Sequence, residues 1–385
     1  FSYYMNPTFC YPQTDLQDAV AELLLSVGYS GKGRFYDHGD YRAQWDERMK
    51  TKGFTLYEIG MWNGPSVHKM ALDAQGATEA YVEAIAGHLR PNGPNEGVIF
   101  DYEPWRVPYM DESFKPEIRA AFAKWAKLDH TPEAAELKGK LKRQWTDFWL
   151  DAGMSAYAAM AKAVRTHHPD PKTLLIAYTY FYDYGDEEKM YNQYWSCPKD
   201  PKLAERLYDV NLMGCYTKHD RELYDKVTLA RKHLTKPMWA ISSVSRVNPI
   251  QERYTKPYDS LSPQRLEQKI VQCAALGMER HGVWPGTGWI DGMHLAAMGN
   301  ASRFIWAHEA FYFDGKRADD QLTVTPKAAF KEWCSTAHES GGRIMVTVFN
   351  FTDQSREFII RARGAGETQT CKVAPRAYEA VMLER

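Results

Sequence analysis

Along roughly the first 300 residues, short continuous apolar runs alternate with segments of helical periodicity. Residues 15–27 (DLQDAVAELLLSV) carry apolar positions at helical spacing, with Thr14 or Asp15 placed to cap them. Further helical stretches are expected at about 40–52, 66–89, 115–167, 220–234 and 263–279. Between them lie β-type runs, beginning with an aromatic opening at 1–6 and a second run at 34–39 (RFYDHG). The others are 54–62 (FTLYEIGMW), 97–105 (GVIFDYEPW), 173–181 (TLLIAYTYF), 210–217 (VNLMGCYT), 237–245 (PMWAISSVS) and 281–289 (HGVWPGTGW). They read as apolar runs, not alternating ones, as strands do when both faces of a parallel sheet are buried. Eight such runs separated by helices predict an α/β fold, a (β/α)8 TIM barrel. An open doubly wound sheet would want a Gly-rich phosphate turn after the first strand, and none is there.

After about residue 309 the pattern changes. AFYFDGKR, LTVTP, RIMVTVFNF, REFIIRAR, TQTCKVAP and YEAVMLER read as short strands separated by turn residues. They predict a small C-terminal antiparallel β-domain, sandwich-like and packed on the barrel. The expected division is a catalytic barrel at 1–308 and a β-domain at 309–385. The 385-residue length suits it, since a barrel takes about 250 residues and the remainder forms a smaller module.

Composition narrows the function classes. The net charge is −1, which gives no electrostatic draw to nucleic acid or to an acidic membrane. No apolar run is long enough to cross a bilayer. The six cysteines are scattered, without a C-x-x-C pair, so zinc and redox motifs are unsupported and any disulfide stays unassigned. The chain begins at Phe1, which suggests a processed N-terminus and a secreted, periplasmic or cell-surface protein. Asn300-Ala-Ser and Asn350-Phe-Thr fit the N-glycosylation pattern. Aromatics reach 14% of residues, with 24 Tyr and 12 Trp. Half of that weight belongs to an aromatic core. The other half belongs to flat rings that stack on sugar C–H faces while their O–H and N–H groups reach hydroxyls.

Polar and aromatic residues collect at the C-terminal ends of the strand-like runs, where a barrel carries its active site. The sharpest feature is Asp101-Tyr102-Glu103. Alternate strand residues share a face, which sets the two Cβ atoms roughly 6–7 Å apart. Two close carboxylates cannot both ionise freely, so one is pushed up and can donate a proton to a glycosidic oxygen. The bland alternative is a strand-end acidic pair held by Arg or backbone N–H groups. Asp37 and His38 are candidate sugar-hydroxyl contacts, and Glu58 is a candidate substrate-binding third carboxylate in the cleft. Trp62, Trp105, Tyr180, Tyr182 and Trp289 are candidate cleft linings, with even odds of being core. His167-His168 before Pro169 reads as a solvated helix cap. No His/Asp set has metal spacing, and no cofactor is called for; the expected partner is an oligosaccharide or polysaccharide.

GVIFDYE resembles the fourth-strand signature of family 18 glycoside hydrolases, the chitinases and endo-β-N-acetylglucosaminidases, which ends in Asp-x-Glu. VNLMGCY resembles that family's sixth strand with its catalytic tyrosine, and GVWPG the strand whose tryptophan floors the sugar subsite. The resemblance implies Glu103 as general acid and then base, and Asp101 orienting a substrate acetamido group that attacks the anomeric carbon. Tyr216 would hydrogen-bond that group and Trp284 would stack under the sugar. The chain departs from the pattern at Glu96 and Ile99, where aspartates are usual, at Glu58-Ile-Gly-Met, and at Thr217 after the tyrosine. The 2-acetamido specificity therefore stays open. Glu103-Pro104 also resembles the Asn-Glu-Pro of two-carboxylate retaining barrels, whose nucleophile MWAISSV lacks; Glu252 lies beyond it. A third scheme uses Asp101 as nucleophile with Asp183, Asp220 or Asp291 as acid, and Glu58 is a further candidate second carboxylate. A non-catalytic carbohydrate-binding barrel is the alternative of another class.

Overall fold

The computed structural model describes residues 14–35, 39–60, 64–86, 96–217, 219–243, 261–284, 292–362 and 368–384. Seven parallel strands form one sheet in chain order: β1 (Gly31–Phe35), β2 (Thr55–Gly60), β3 (Gly97–Phe100), β4 (Leu174–Thr179), β5 (Val210–Gly214), β6 (Met238–Ser243) and β7 (Arg280–Trp284). Helices intervene: α1 (Thr14–Ser26), α2 (Gly39–Thr51), α3 (Val67–Leu72), α4 (Ala74–Ile85), α5 (Pro116–Trp125), α6 (Ala134–Lys138), α7 (Lys142–His167), α8 (Glu187–Ser196), α9 (Pro201–Ala204), α10 (Asp220–Ala230) and α11 (Pro263–Ala275). The opening run at 1–6, read as a first strand, lies outside the described residues.

The sheet curls into a barrel. Tyr57 on β2 meets Trp239 on β6 edge-on at 5.8 Å. Arg280 on β7 pairs with Glu96, just before β3, and donates to the Tyr57 hydroxyl. Strands so far apart in the sheet order touch only if the sheet closes on itself. The interior is filled by Tyr57, Ile99, Ile176, Tyr178, Leu212, Trp239 and Ile241. On β3 the neighbours of Ile99, Val98 and Phe100, belong instead to the outer layer with Trp149, Ala156 and Met160 of α7. This is the inside–outside alternation of a strand buried on both faces.

Several elements depart from the sequence pattern. The strands are shorter than the apolar runs: β3 ends at Phe100, β4 at Thr179 and β5 at Gly214. Asp101, Glu103 and Tyr216 therefore stand on the loops just beyond the strands, not on the strands themselves. The stretch 115–167 breaks into α5, α6 and α7, with Lys127 at φ 55° after the first. The stretch 66–89 is divided by Asp73, whose side chain accepts from the Gly76 amide at 3.0 Å and caps α4. His168, expected in solvent, is buried beneath the end of α7 and pairs with the Asp170 backbone.

The chain continues through α12 (Gly292–Ala307) and α13 (Glu309–Tyr312), so AFYF is helical and not the expected strand. Phe311 and Tyr312 dock their rings into the barrel's outer core, which overrides their strand preference. Two antiparallel sheets follow. One has the order β14 (Tyr378–Glu384), β11 (Arg343–Asn350), β10 (Trp333–Ser340), β8 (Lys316–Arg317); the other β13 (Thr368–Val373), β12 (Arg356–Ala362), β9 (Leu322–Pro326). Ile344, Val346 and Val348 of β11 pack against Phe358 and Ile360 of β12, while Met345 and Phe349 pack against α11 and α12. Both faces of β11 are thus buried. Asn350, one of the two glycosylation matches, is fully buried and donates to the carbonyls of Gln354 at 2.7 Å and Ala374 at 2.9 Å. Its pattern is a structural one.

Candidate active site

The segment 101–106 leaves the end of β3 and is held on every side. Tyr102 points outward and its O–H donates to the Pro65 carbonyl at 2.7 Å. Gly64 permits this approach, since a Cβ there would lie 2.3 Å from the Tyr102 ring. The Tyr157 O–H from α7 donates to the Tyr102 carbonyl at 2.6 Å. The Trp105 amide donates to the Glu103 carbonyl at 2.7 Å and the Arg106 amide to Ser196 at 2.8 Å. Arg106 takes a left-handed φ of 65° to turn the chain back. Asp101 and Glu103 flank the anchored Tyr102, so their backbone is fixed before any ligand arrives.

Asp101 is half-buried and Glu103 stays open to solvent, though protein atoms crowd its carboxyl from the barrel side. Burial raises Asp101 to about 6, against the opposing pull of the Lys199 charge. Burial, and then the charge of Asp101, raise Glu103 to about 7, while a hydrogen bond from Trp105 and the Lys199 charge hold it down. The repulsion falls on Glu103 because it ionises second, against an Asp101 already charged.

Two tyrosines face the pair. Tyr178 on β4 and Tyr216 beyond β5 stand with ring centroids 6.5 Å apart, and both feel the charges of Asp101 and Glu103. Burial pushes both phenols up, so they are donors at neutral pH. Gly214 is required here, because a Cβ would lie 2.6 Å from the Tyr178 hydroxyl. Trp105, 45% exposed, leans on Tyr180 at 4.8 Å, and Tyr180 meets Tyr178 edge-on at 5.1 Å. These rings form an aromatic wall beside the carboxyls, and the buried Tyr180 hydroxyl has no protein partner.

The structure thus brings Asp101, Glu103, Tyr216, Trp105 and Tyr180 together. It does not bring Tyr182 there: that ring is buried with Tyr184 and Tyr194 behind β4, because the chain turns outward after Tyr180. Asp220, a candidate second carboxylate, is 5% exposed and gripped by Arg265 at 2.8 and 3.1 Å, facing α11 rather than Glu103. Asp183 accepts from the Gln193 amide at 3.3 Å, beyond β4. Glu58 lies on β2 in register with Arg34 and Val98, and Trp284 ends β7 opposite Ser243; both side chains are outside the described residues. Asp37, His38, Trp62, Trp289, Glu252 and Asp291 lie outside them entirely. Among the described residues no group of three His, Cys, Asp or Glu side chains forms a metal site, no helix is long and apolar enough to cross a membrane, and the five cysteines are buried free thiols.

Sequence reasoning missed Lys199. This fully buried lysine donates to the Tyr178 carbonyl and, at 3.2 Å, to Thr179 Oγ1. Its loop reaches under the site because α7 carries Gly153, where a Cβ would lie 2.0 Å from the Pro198 carbonyl. A glycine inside a helical run was the one available signal of that close approach.

No protein-family model and no curated protein sequence matches the chain. Among solved structures, a catalytic mutant of Gan42B, a GH42 β-galactosidase from G. stearothermophilus, superposes with a TM-score of 0.61 at 10% identity, covering 100% of this chain and 98% of that one. The β-galactosidase of Rahnella sp. R3 follows the fold at 0.53 and 12% identity, over 80% of this chain and 56% of that one. The β-galactosidase of Marinomonas ef1 does so at 0.52 and 8%, over 80% and 60%. At such identities the likeness is one of fold alone.

Proposed function

We propose that this protein is a glycoside hydrolase acting on an oligosaccharide or polysaccharide, with Glu103 as general acid and base. The observation that carries the reading is the carboxyl pair just beyond β3, with Glu103 raised to about 7 and open to solvent beside an aromatic wall. A carboxyl that keeps its proton near neutral pH can pass it to a glycosidic oxygen as the C–O bond breaks. The fold shared with glycosidases is consistent with this and does not by itself assign a reaction.

For the second group, the substrate-assisted scheme of family 18 is favoured over a second carboxylate from α10. Tyr216 shares its surroundings with Asp101, whereas Asp220 is occupied by Arg265. In this scheme the acetamido oxygen of the sugar closes on the anomeric carbon, oriented by Asp101 and Tyr216. The Glu103 carboxylate then takes a proton from the water that opens the ring intermediate.

The test is release of reducing ends from a panel of N-acetylated and neutral glycans by wild type and Glu103→Gln. Turnover confined to the wild type supports the assignment. Binding without turnover by the wild type would make the protein a non-catalytic carbohydrate-binding barrel.

A further inference from the structure

Lys199 sits in the loop between α8 and α9 with no exposed surface. Its Nζ donates to two neutral acceptors, the Tyr178 carbonyl and Thr179 Oγ1, and lies 4.7 Å over the Tyr157 ring. None of these neutralises a buried ammonium, and a cation in a protein interior persists only with an anion close by. Among the described residues, the acids whose charge reaches it are Cys197 on its own loop and Asp101 and Glu103 beyond β3. Burial pushes the Cys197 thiol up to about 12, so it carries no charge at neutral pH. The phenol of Tyr157, over whose ring the ammonium lies, is neutral as well. Among the described residues, the counter-charge comes from the carboxyl pair.

We propose that Lys199 is the positioning residue of the candidate site: its buried ammonium holds the Asp101–Glu103 pair at one negative charge and one proton. One cation against a singly ionised pair leaves the buried group neutral overall. Full protonation of the pair strands the lysine, and full ionisation puts two anions against one cation. The state between them is the one in which a proton donor stands beside a charged orienting group. The same ammonium fixes the carbonyl of Tyr178, and Tyr157 links its surroundings to the Tyr102 carbonyl between the two acids. The proposal rests on the glycosidase reading for its use, though not for its charge balance.

The experiment is a carbon-13 titration of the carboxyls in wild type, Lys199→Met and Lys199→Arg, alongside the pH–rate profile on whichever glycan the wild type cleaves. The expected result is that Lys199→Met moves the pair's first midpoint up by about one pH unit, the usual effect of removing a nearby opposite charge. The acid limb of the rate should move with it, and Lys199→Arg should restore both. An unmoved midpoint with a uniformly lower rate would mean a purely structural lysine and would overturn the proposal. Should Lys199→Met not fold, the wild-type Lys199 nitrogen-15 signal decides: it must be an ammonium at pH 7 and show a step at the carboxyl midpoint. A neutral amine there overturns the proposal. A shifted midpoint in a protein that cleaves no glycan sinks the glycosidase reading alone and leaves the charge assignment standing.

Discussion

Replacing Asp101 by Asn removes a carboxyl whose charged form the fold disfavours, and the consequence is a pH-dependent gain in stability. Asp101 rises from an ordinary 3.8 to about 6 because burial penalises its charge more than Lys199 favours it. Between those two values the folded protein binds more protons than the unfolded chain, so stability falls as pH climbs through that window. The penalty is absent below the unfolded value and complete above the folded one. Each pH unit is worth 1.36 kcal/mol, which puts the full cost at about 3 kcal/mol for this half-buried group. Asn has no charge to bury, so it should match wild type at pH 4 and exceed it at pH 8. Lys199 loses part of its counter-charge in the variant, which trims the gain to about 1–3 kcal/mol. The assay is urea unfolding of both proteins across pH 4 to 8, read by tryptophan fluorescence. A difference that does not change with pH, or an Asn variant less stable at pH 8, refutes the argument that desolvation governs this carboxyl.

Hydrolysis should follow a bell. The rate rises through about pH 6 as Asp101 ionises and falls beyond about 7 as Glu103 loses its proton, so a rate still climbing at pH 8 would contradict the assigned roles. Gly64→Ala drives a methyl against the Tyr102 ring, which is tethered to Pro65; thermal unfolding should show a loss of about 1–3 kcal/mol, and an unchanged midpoint would mean the ring moves freely. Glu205→Ala leaves Asn211 Nδ2, the Thr235 and Lys236 amides and the Thr235 hydroxyl without their shared carboxylate acceptor. The expected cost is about 2–4 kcal/mol in urea denaturation, and a change under about 0.5 kcal/mol would show that water takes over.

The β-type runs were readable because barrel strands are covered on both faces, which leaves a continuous apolar signal from residues such as Val98-Ile99-Phe100. Asp101 and Glu103 were readable for a related reason: charge directly after such a run is costly unless it sits at an open end. The alternation argument that paired them belonged to a strand, however, and the strand stops at Phe100. What brings the carboxyls together is a loop pinned by Tyr102, Tyr157 and Gly64, contacts between residues far apart in sequence. Lys199 was invisible for the same reason, as nothing in SCPKDP distinguishes it from a solvated lysine. Tyr182, which carried even odds of lining the cleft, falls in the core because β4 ends at Thr179 and nothing in the sequence shows the chain turning away after Tyr180. The polar strand β10 was missed because WCSTAHES carries little apolar periodicity, its burial being supplied by neighbours on both sides.

The shared burial of β11 also bears on how this protein can be cut or recombined. Gln268 of α11 donates to Asn350 and Ala377, both at 2.9 Å, and Tyr378 donates to Glu267 of the same helix at 2.9 Å. Truncation near residue 308 would expose a helix lined with amides cut to fit missing carbonyls, together with the apolar surface that Met345 and Phe349 had covered. A barrel fragment ending there is expected to precipitate. Shuffling experiments should therefore transplant both halves together, as one inseparable cassette.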